Sequence, residues 1–277
     1  GRRFLNLIMK ERSEELRTGI LDSQPQDELL KPGETVNCLF EEEEEQVILK
    51  EGDYWLRIWK VSMPAIVCYF MVLLQEVINL MIVGLMGDDK ILAAVGMGNT
   101  IINVFGVGMY IGLNGALSTF VSQAVGAEKY EICGVYLWRG RIALAIAFVA
   151  IFPIFAYSAR ILKALGQDEE ASDYSYLYTI AFIPGLFIQG NLDLERNFIT
   201  SFGKAELTMR SQIIAPFIHL VFCYLLAIVA NMGIIGVSLA TLLTNSLIYS
   251  YQNSLLNKIE EVREAQKVSF WDRRNFQ

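Results

Sequence analysis

The run from Gly84 to Gly126 constrains this chain more than any other stretch, because it is apolar almost all round and polar along a single seam. Gly96, Asn99, Asn103, Gly106, Tyr110, Asn114, Ser118 and Ser122 follow one another by three or four residues, so they share one face of a helix. The other faces are Ile, Val, Leu, Met and Phe. A surface helix of a soluble domain shows the inverse pattern, with a narrow apolar stripe in a polar background. A seam of small and polar residues on an apolar helix instead suits a membrane helix facing other helices or a wet cavity.

The rest of the chain repeats that theme. Of 277 residues 53% are hydrophobic and only 19% charged, below the roughly 25% of soluble domains. A large share of the charge lies before Trp59 or after Asn257, and the acidic run Glu41 to Glu45 supplies much of the net charge of −7. That run reads as a solvated tail rather than a binding face, and no basic stripe points to nucleic acid.

Tyr54, Trp55 and Trp59, interleaved with Arg57 and Lys60, form an interfacial belt before the first span. Six segments near the ~20 residues that a bilayer core requires then follow. They run from Val61 to Leu85, Ile91 toward Asn114 with the seam continuing to Val125, Val135 to Tyr157, Tyr174 to Phe198, Ile213 to Ala230, and Ile234 to Leu256. The second is too long for one straight crossing, so it is expected to tilt, protrude or break near Gly112 and Gly115. Asn231-Met232-Gly233 leaves room only for a tight turn between the last two. The pattern predicts an all-α membrane protein, a bundle of six transmembrane helices. Residues 1–52 form a cytoplasmic acidic tail, 53–256 the transmembrane lobe, and 257–277 a cytoplasmic amphipathic linker.

Basic residues set the expected orientation. Arg57, Lys60, Lys129, Arg139, Arg141, Lys204, Arg210, Lys258, Arg263, Lys267, Arg273 and Arg274 fall on one side, against Lys90, Arg160 and Lys163 on the other. The positive-inside bias places both termini in the cytoplasm, in a plasma membrane or an organelle membrane.

Ionisable and amide groups within spans are costly and mark candidate sites. Gln75, Glu76 and Asn79 share a polar face of the first span, suited to a proton, cation or solute contact. Asp193 and Arg196, three apart, are expected to pair within the fourth span, while Arg139 and Arg141 start the third and are expected to snorkel to headgroups. His219 and Asn245 read as hydrogen-bonded interhelical residues, and Pro64, Pro153, Pro184 and Pro216 as sites of bending. Cys38, Cys68, Cys133 and Cys223 are far apart, without CxxC spacing, and read as small hydrophobes rather than metal ligands or a disulfide framework. Neither a P-loop nor a GxSxG or GxGxxG in the right setting appears, so the sequence offers no enzymatic constellation and calls for no cofactor.

Ala116-Leu-Ser-Thr-Phe-Val-Ser-Gln-Ala-Val-Gly-Ala127 resembles the Ala-Leu-Asp-Thr-Leu-x-x-Gln-Ala-x-Gly-Ala motif of the multidrug and toxic compound extrusion (MATE) transporters, eukaryotic type, N-terminal lobe. Val83-Gly84-x-x-Gly87, Leu92-Ala-Ala, Leu137-x-Arg139, Leu165-Gly-Gln, Ile183-Pro184-Gly185, Arg196, Gly236 and Ala240-Thr241 are similar in order and spacing, over about residues 55 to 277. The motif residues taken as structural are Gly84, Gly87, Ser118, Gln123, Gly126, Arg139, Pro184 and Arg196.

The resemblance implies one lobe of a two-lobe antiporter. Such a protein exports organic cations and other drug-like solutes against protons or sodium ions, through a cavity between the lobes that opens alternately to each side. The partners implied are the lipid bilayer, small organic cationic solutes and a second six-helix lobe in the same or another chain. The residues expected at the solute or ion site are Glu76, Gln75, Asn79, Asn99, Asn103, Tyr110 and His219. Two departures stand out. The motif's Asp is Ser118 here, and the positions matching the family's N-lobe coupling acids are Asn79 and Cys223, which leaves Glu76 as the first helix's acid. These departures keep open an alternative, a transport-inactive structural or accessory membrane subunit derived from a transporter lobe.

Overall fold

In the computed structural model the described residues are 51–256 and Val262. The chain divides into two compact units, residues 1–58 and 59–277, and the packing below is that of the second. The expected acidic tail and most of the amphipathic linker lie outside the described residues.

Every described element is helical. In chain order they are α1 (Glu51–Gly84), α2 (Asp89–Ile101), a π-helical segment π1 (Ile102–Val107), α3 (Gly108–Gly126), α4 (Tyr130–Ala156), the short α5 (Ser158–Ala164), α6 (Glu169–Ser201), α7 (Ala205–Cys223), a second π-helical segment π2 (Tyr224–Val229) and α8 (Gly233–Leu256). α2, π1 and α3 form one uninterrupted helix, as do α7 and π2. Five of the resulting helices are long and apolar enough to cross a membrane: Ile58–Gly84, Asp89–Gly126, Tyr130–Ala156, Ala205–Val229 and Gly233–Leu256.

The fourth expected span departs from that rule, and its position explains why. α6 is 33 residues long but carries Asn191, Asp193, Glu195 and Arg196, all buried. It packs against α2, α3, α4, α5, α7 and α8 at the centre of the bundle. Largely covered by its neighbours, it has less need of an apolar surface, and Asp193, Glu195 and Arg196 find charged or amide partners within the protein. The outer helices carry the opposite burden, with Ile146, Val149, Phe217, Val221 and Leu243 exposed as lipid-facing surface does.

Local chemistry fixes the helix ends. The Asp88 carboxylate accepts the backbone N–H of Lys90 at 2.9 Å and of Ile91 at 3.3 Å, capping α2. Asp168 caps α6 through the N–H of Ala171 at 3.0 Å, and Glu169 and Glu170 add negative charge to its first turn. Outside the spans, Lys163 on α5 lies 2.9 Å from Asp173 on α6, and that carboxylate holds its ammonium above the usual range. Gly87 takes φ +75° between α1 and α2, a conformation that favours glycine. Asn231 (φ 53°) and Gly233 (φ 56°) make the tight turn into α8 expected from the sequence.

The long second helix does not break near Gly112 and Gly115. Its irregularity lies earlier, in π1, where the wider turn brings Gly106 against Leu186 of α6. π-Helical turns are frequent at functional sites, and both of these flank the polar interior of the lobe. The four prolines sit inside α1, α4, α6 and α7 without interrupting any of them, although α4 ends three residues after Pro153.

A candidate solute cavity beside the central helix

Four helices, α1, α2–π1, α6 and α8, bring the polar groups together. Glu76 projects from α1 and accepts a hydrogen bond from Asn103 Nδ2 of π1 at 3.3 Å. Gln75, Glu76, Asn79, Asn99 and Asn103 line one small polar pocket with Gln189 and Thr241, so five of the seven expected site residues converge. That pocket has a volume of ≈ 10 Å³, about the room one water needs.

A larger cavity of ≈ 260 Å³ shares Glu76, Asn103 and Gln189 with it. Tyr69 and Leu73 from α1, Tyr110 and Ile111 from α3, and Asp193 and Arg196 from α6 complete much of its wall. Tyr110, the sixth expected residue, is buried, and its hydroxyl accepts from Gln189 Nε2 at 3.3 Å.

His219 touches neither cavity and stands one layer behind Asn79. Its Nε2 lies 2.8 Å from Asn79 Oδ1 and 3.3 Å from Cys223 Sγ, and its Nδ1 lies 3.2 Å from Thr244 Oγ1. Asn79 Oδ1 only accepts, so the imidazole proton lies on Nε2, and Nδ1 faces the Thr244 hydroxyl, which also lies 2.8 Å from the Ala240 carbonyl. His219 thus joins α1, α7 and α8, as an interhelical histidine should. Asn79 and Cys223, the two positions implied by the resemblance, meet here at 3.5 Å.

The polar seam of the second helix divides by depth. Asn99 accepts from the Tyr178 hydroxyl at 2.8 Å, and Asn114 Nδ2 reaches both the Gly190 carbonyl at 3.2 Å and Asp193 Oδ2 at 2.8 Å. Further on the seam leaves the core. Gln123 and Gly126 are exposed, and the Ser118 hydroxyl donates to the carbonyl of Gly115 on its own helix at 2.8 Å. Gly84 and Gly96 likewise face open space. Asn245 donates to the Gly185 carbonyl at 3.4 Å, one residue beyond Pro184.

Two arginines behave differently from each other. Arg196 pairs with Asp193 within α6, as their spacing predicts, but the pair forms cavity wall, with the Arg196 guanidinium 4.5 Å from the centre of the Tyr69 ring. Arg141 does not snorkel to headgroups. Its Nη2 donates to Glu195 Oε1 at 2.7 Å, because the face of α4 that carries it turns onto α6, where Glu195 is fully buried. Arg141 also stacks over Trp138 at 4.9 Å.

Sequence spacing alone missed Gln189, Gln212 and Tyr178. Tyr178, Phe182, Gln189, Asp193 and Arg196 recur at intervals of one or two helical turns, so a polar stripe on the least apolar span was the signal available. Cys68, Cys133 and Cys223 are buried free thiols, and the described residues contain no group of three or more His, Cys, Asp or Glu able to hold a metal; Cys38 lies outside them.

Comparison with known proteins gives this geometry a setting. The MatE family model matches residues 39–225. Protein DETOXIFICATION 28 of Arabidopsis thaliana is 31% identical over 198 residues, which cover 70% of this chain and 40% of that protein. Protein DETOXIFICATION 27 from the same plant is 30% identical over 181 residues, 65% of this chain and 37% of the other. The chain therefore spans about 40% of the length of these curated relatives. Among solved structures, the eukaryotic MATE transporter AtDTX14 superimposes with a TM-score of 0.72 at 23% identity, covering 79% of this chain and 48% of that one. The Vibrio cholerae MATE transporter VcmN in its bent form does so with a TM-score of 0.68 at 17% identity, covering 78% and 48%. These likenesses fix the fold as one six-helix lobe of that architecture, and the chain as a multi-pass membrane protein.

Proposed function

The chain belongs to the multidrug and toxic compound extrusion (MatE) family, and on that premise we propose that it forms the N-terminal lobe of a secondary active antiporter exporting xenobiotic organic solutes. Solute leaves in exchange for protons or sodium ions, and alternating access moves the lobe against a second one, in the same chain or another. Both termini lie in the cytoplasm.

One observation carries this reading: a carboxylate, Glu76, faces a cavity of ≈ 260 Å³ inside a membrane lobe while making, among the described residues, one hydrogen bond of 3.3 Å. A buried purely structural acid would be expected to collect several donors, as Asp193 does. Glu76 keeps bonding capacity for something that enters from outside. Amides at Gln75, Asn79, Asn99 and Asn103 surround it, and they can hydrate an ion or turn with the protonation state of their neighbours. His219 backs Asn79, so a change at the cavity wall is passed to α7 and α8 through the imidazole.

Gradient-driven efflux of a fluorescent xanthene dye from vesicles tests the assignment. Glu76→Gln keeps the shape and removes the charge, and it should lower the efflux rate at least about tenfold, the loss expected of an essential proton-transfer group. Unchanged efflux at normal expression removes Glu76 from coupling. Imposing a proton gradient and a sodium gradient separately identifies the driving ion.

A further inference from the structure

The larger cavity has two chemically opposite ends. At one, Glu76 offers a carboxylate. At the other, Asp193 and Arg196 pair, and the pair is not balanced in bonding even though it is balanced in charge.

Asp193 is saturated. Its Oδ1 accepts from Arg196 Nη2, and its Oδ2 accepts from Asn114 Nδ2 at 2.8 Å and from Asn197 Nδ2 at 3.1 Å. Three donors on two oxygens leave little for an arriving cation. Arg196 is in the reverse condition. A guanidinium carries five N–H donors in a plane, and among the described residues one amino group is committed, to Asp193. Its face rests on Tyr69, which holds the plane still without consuming a donor. Both residues line the cavity, so the pair presents donors to it rather than acceptors.

Tyr110 joins the two ends. It lines the same cavity as Glu76 and Arg196, and the Gln189 side chain donates to its hydroxyl, which leaves the phenolic proton for a guest. Gln212 adds an amide to the wall.

We propose that this cavity selects zwitterionic amphipathic solutes, holding a cationic nitrogen at Glu76 and a carboxylate or similar anionic acceptor at Arg196, ahead of solutes that are cationic only. The proposal rests on the cavity being the solute site. A purely cationic solute satisfies Glu76, but by displacing cavity water it strands the donors of Arg196 in a place of low polarity. Sites built around buried donors reject guests that lack the matching acceptor far more strongly than apolar sites reject a misfit. An acceptor on the solute restores the lost bonds and can meet the guanidinium through two parallel N–H groups.

The test is equilibrium binding, by dye fluorescence, of a rhodamine offered as its free carboxylic acid and as its methyl ester, to the purified protein in lipid nanodiscs with no gradient. The two share ring system and cation and differ in one negative charge. The acid should bind at least about tenfold more tightly, as expected for a donor site that loses its acceptor. The double variant Asp193→Asn with Arg196→Gln keeps the site neutral overall and should bring the two dyes to within about twofold. Arg196→Lys retains charge without the planar fork and should keep part of the preference. If the double variant does not fold, a small ammonium compound with and without a carboxylate, competing for the dye on the unaltered protein, gives the same comparison. Equal affinities, tighter binding of the ester, or a preference that survives in the double variant would each overturn the proposal. No transport is involved, so a protein that fails to couple efflux to Glu76 can still discriminate the dyes, and the converse holds.

Discussion

Asn79 on α1 and His219 on α7 stand 140 residues apart in sequence and meet at 2.8 Å between Oδ1 and Nε2, with both side chains buried. The imidazole continues to Thr244 on α8, so three helices are tied by one ring. Replacing Asn79 with Leu removes the partner of Nε2 and leaves buried polar atoms with only Cys223 Sγ nearby. The expected loss is about 1–3 kcal/mol. Asn79→Gln, which can restore the oxygen, should recover part of it. Thermal unfolding in detergent measures both.

The packing of Asn114 yields a second prediction. Its amide nitrogen donates to two acceptors on α6, the Gly190 carbonyl and Asp193 Oδ2. Asn114→Leu fits a similar volume but strips a donor from a buried carboxylate. A destabilisation of about 1–3 kcal/mol follows. Asn114→Asp should be worse, since it sets a second negative charge against Asp193. A milder effect of Asp than of Leu in the same unfolding assay would contradict the assigned donor.

Glycines with equal standing in the sequence should differ sharply when altered. A Cβ on Gly236 would lie 2.7 to 2.8 Å from the backbone of Leu226 and Ala227, where nothing flexible can move aside. Gly236→Ala should therefore force α8 away from π2 at about 1–3 kcal/mol. Gly84 and Gly96 have nothing within 4 Å of the same position. Their alanine variants should stay within about 0.5 kcal/mol. Side-by-side melting curves separate the two classes.

How far the sequence foretold this structure depends on which signal each feature leaves. Apolar length marks any helix that touches lipid, so α1, α4, α7 and α8 could be read directly. α6 has less such obligation, and the spacing of Gln189, Asp193 and Arg196 predicts a shared face without showing that this face is cavity wall. π1 left no trace, because one wide turn does not alter the three-to-four spacing enough to show, whereas Gly112 and Gly115, which do stand out in the sequence, sit within the regular helix α3. The cluster around Glu76 was legible where its members share a helix, as Gln75 and Asn79 do. Gln212 and Tyr69 come from other turns and other helices, and only tertiary packing places them. The neighbours of His219 were invisible for the same reason.

Arg141 and Glu195 give the prediction in which the direction of the effect depends on how many residues are changed. The pair joins α4 to α6 through a bond of 2.7 Å, with the Glu195 side chain fully buried and that of Arg141 19% exposed. Removing either partner leaves a charge without its counterion in a medium that solvates it poorly, so Arg141→Leu or Glu195→Leu alone should cost about 3–5 kcal/mol. Removing both changes the balance, because neither charge then has to be taken from water. The double variant should fall within about 1 kcal/mol of the parent or exceed it. Trp138 and Tyr249 flank the site and can pack against the new side chains. Chemical denaturation of the four proteins in one detergent completes a double-mutant cycle. A double variant as unstable as the sum of the two single variants would mean zero coupling, each residue then acting on the fold through contacts other than the pair.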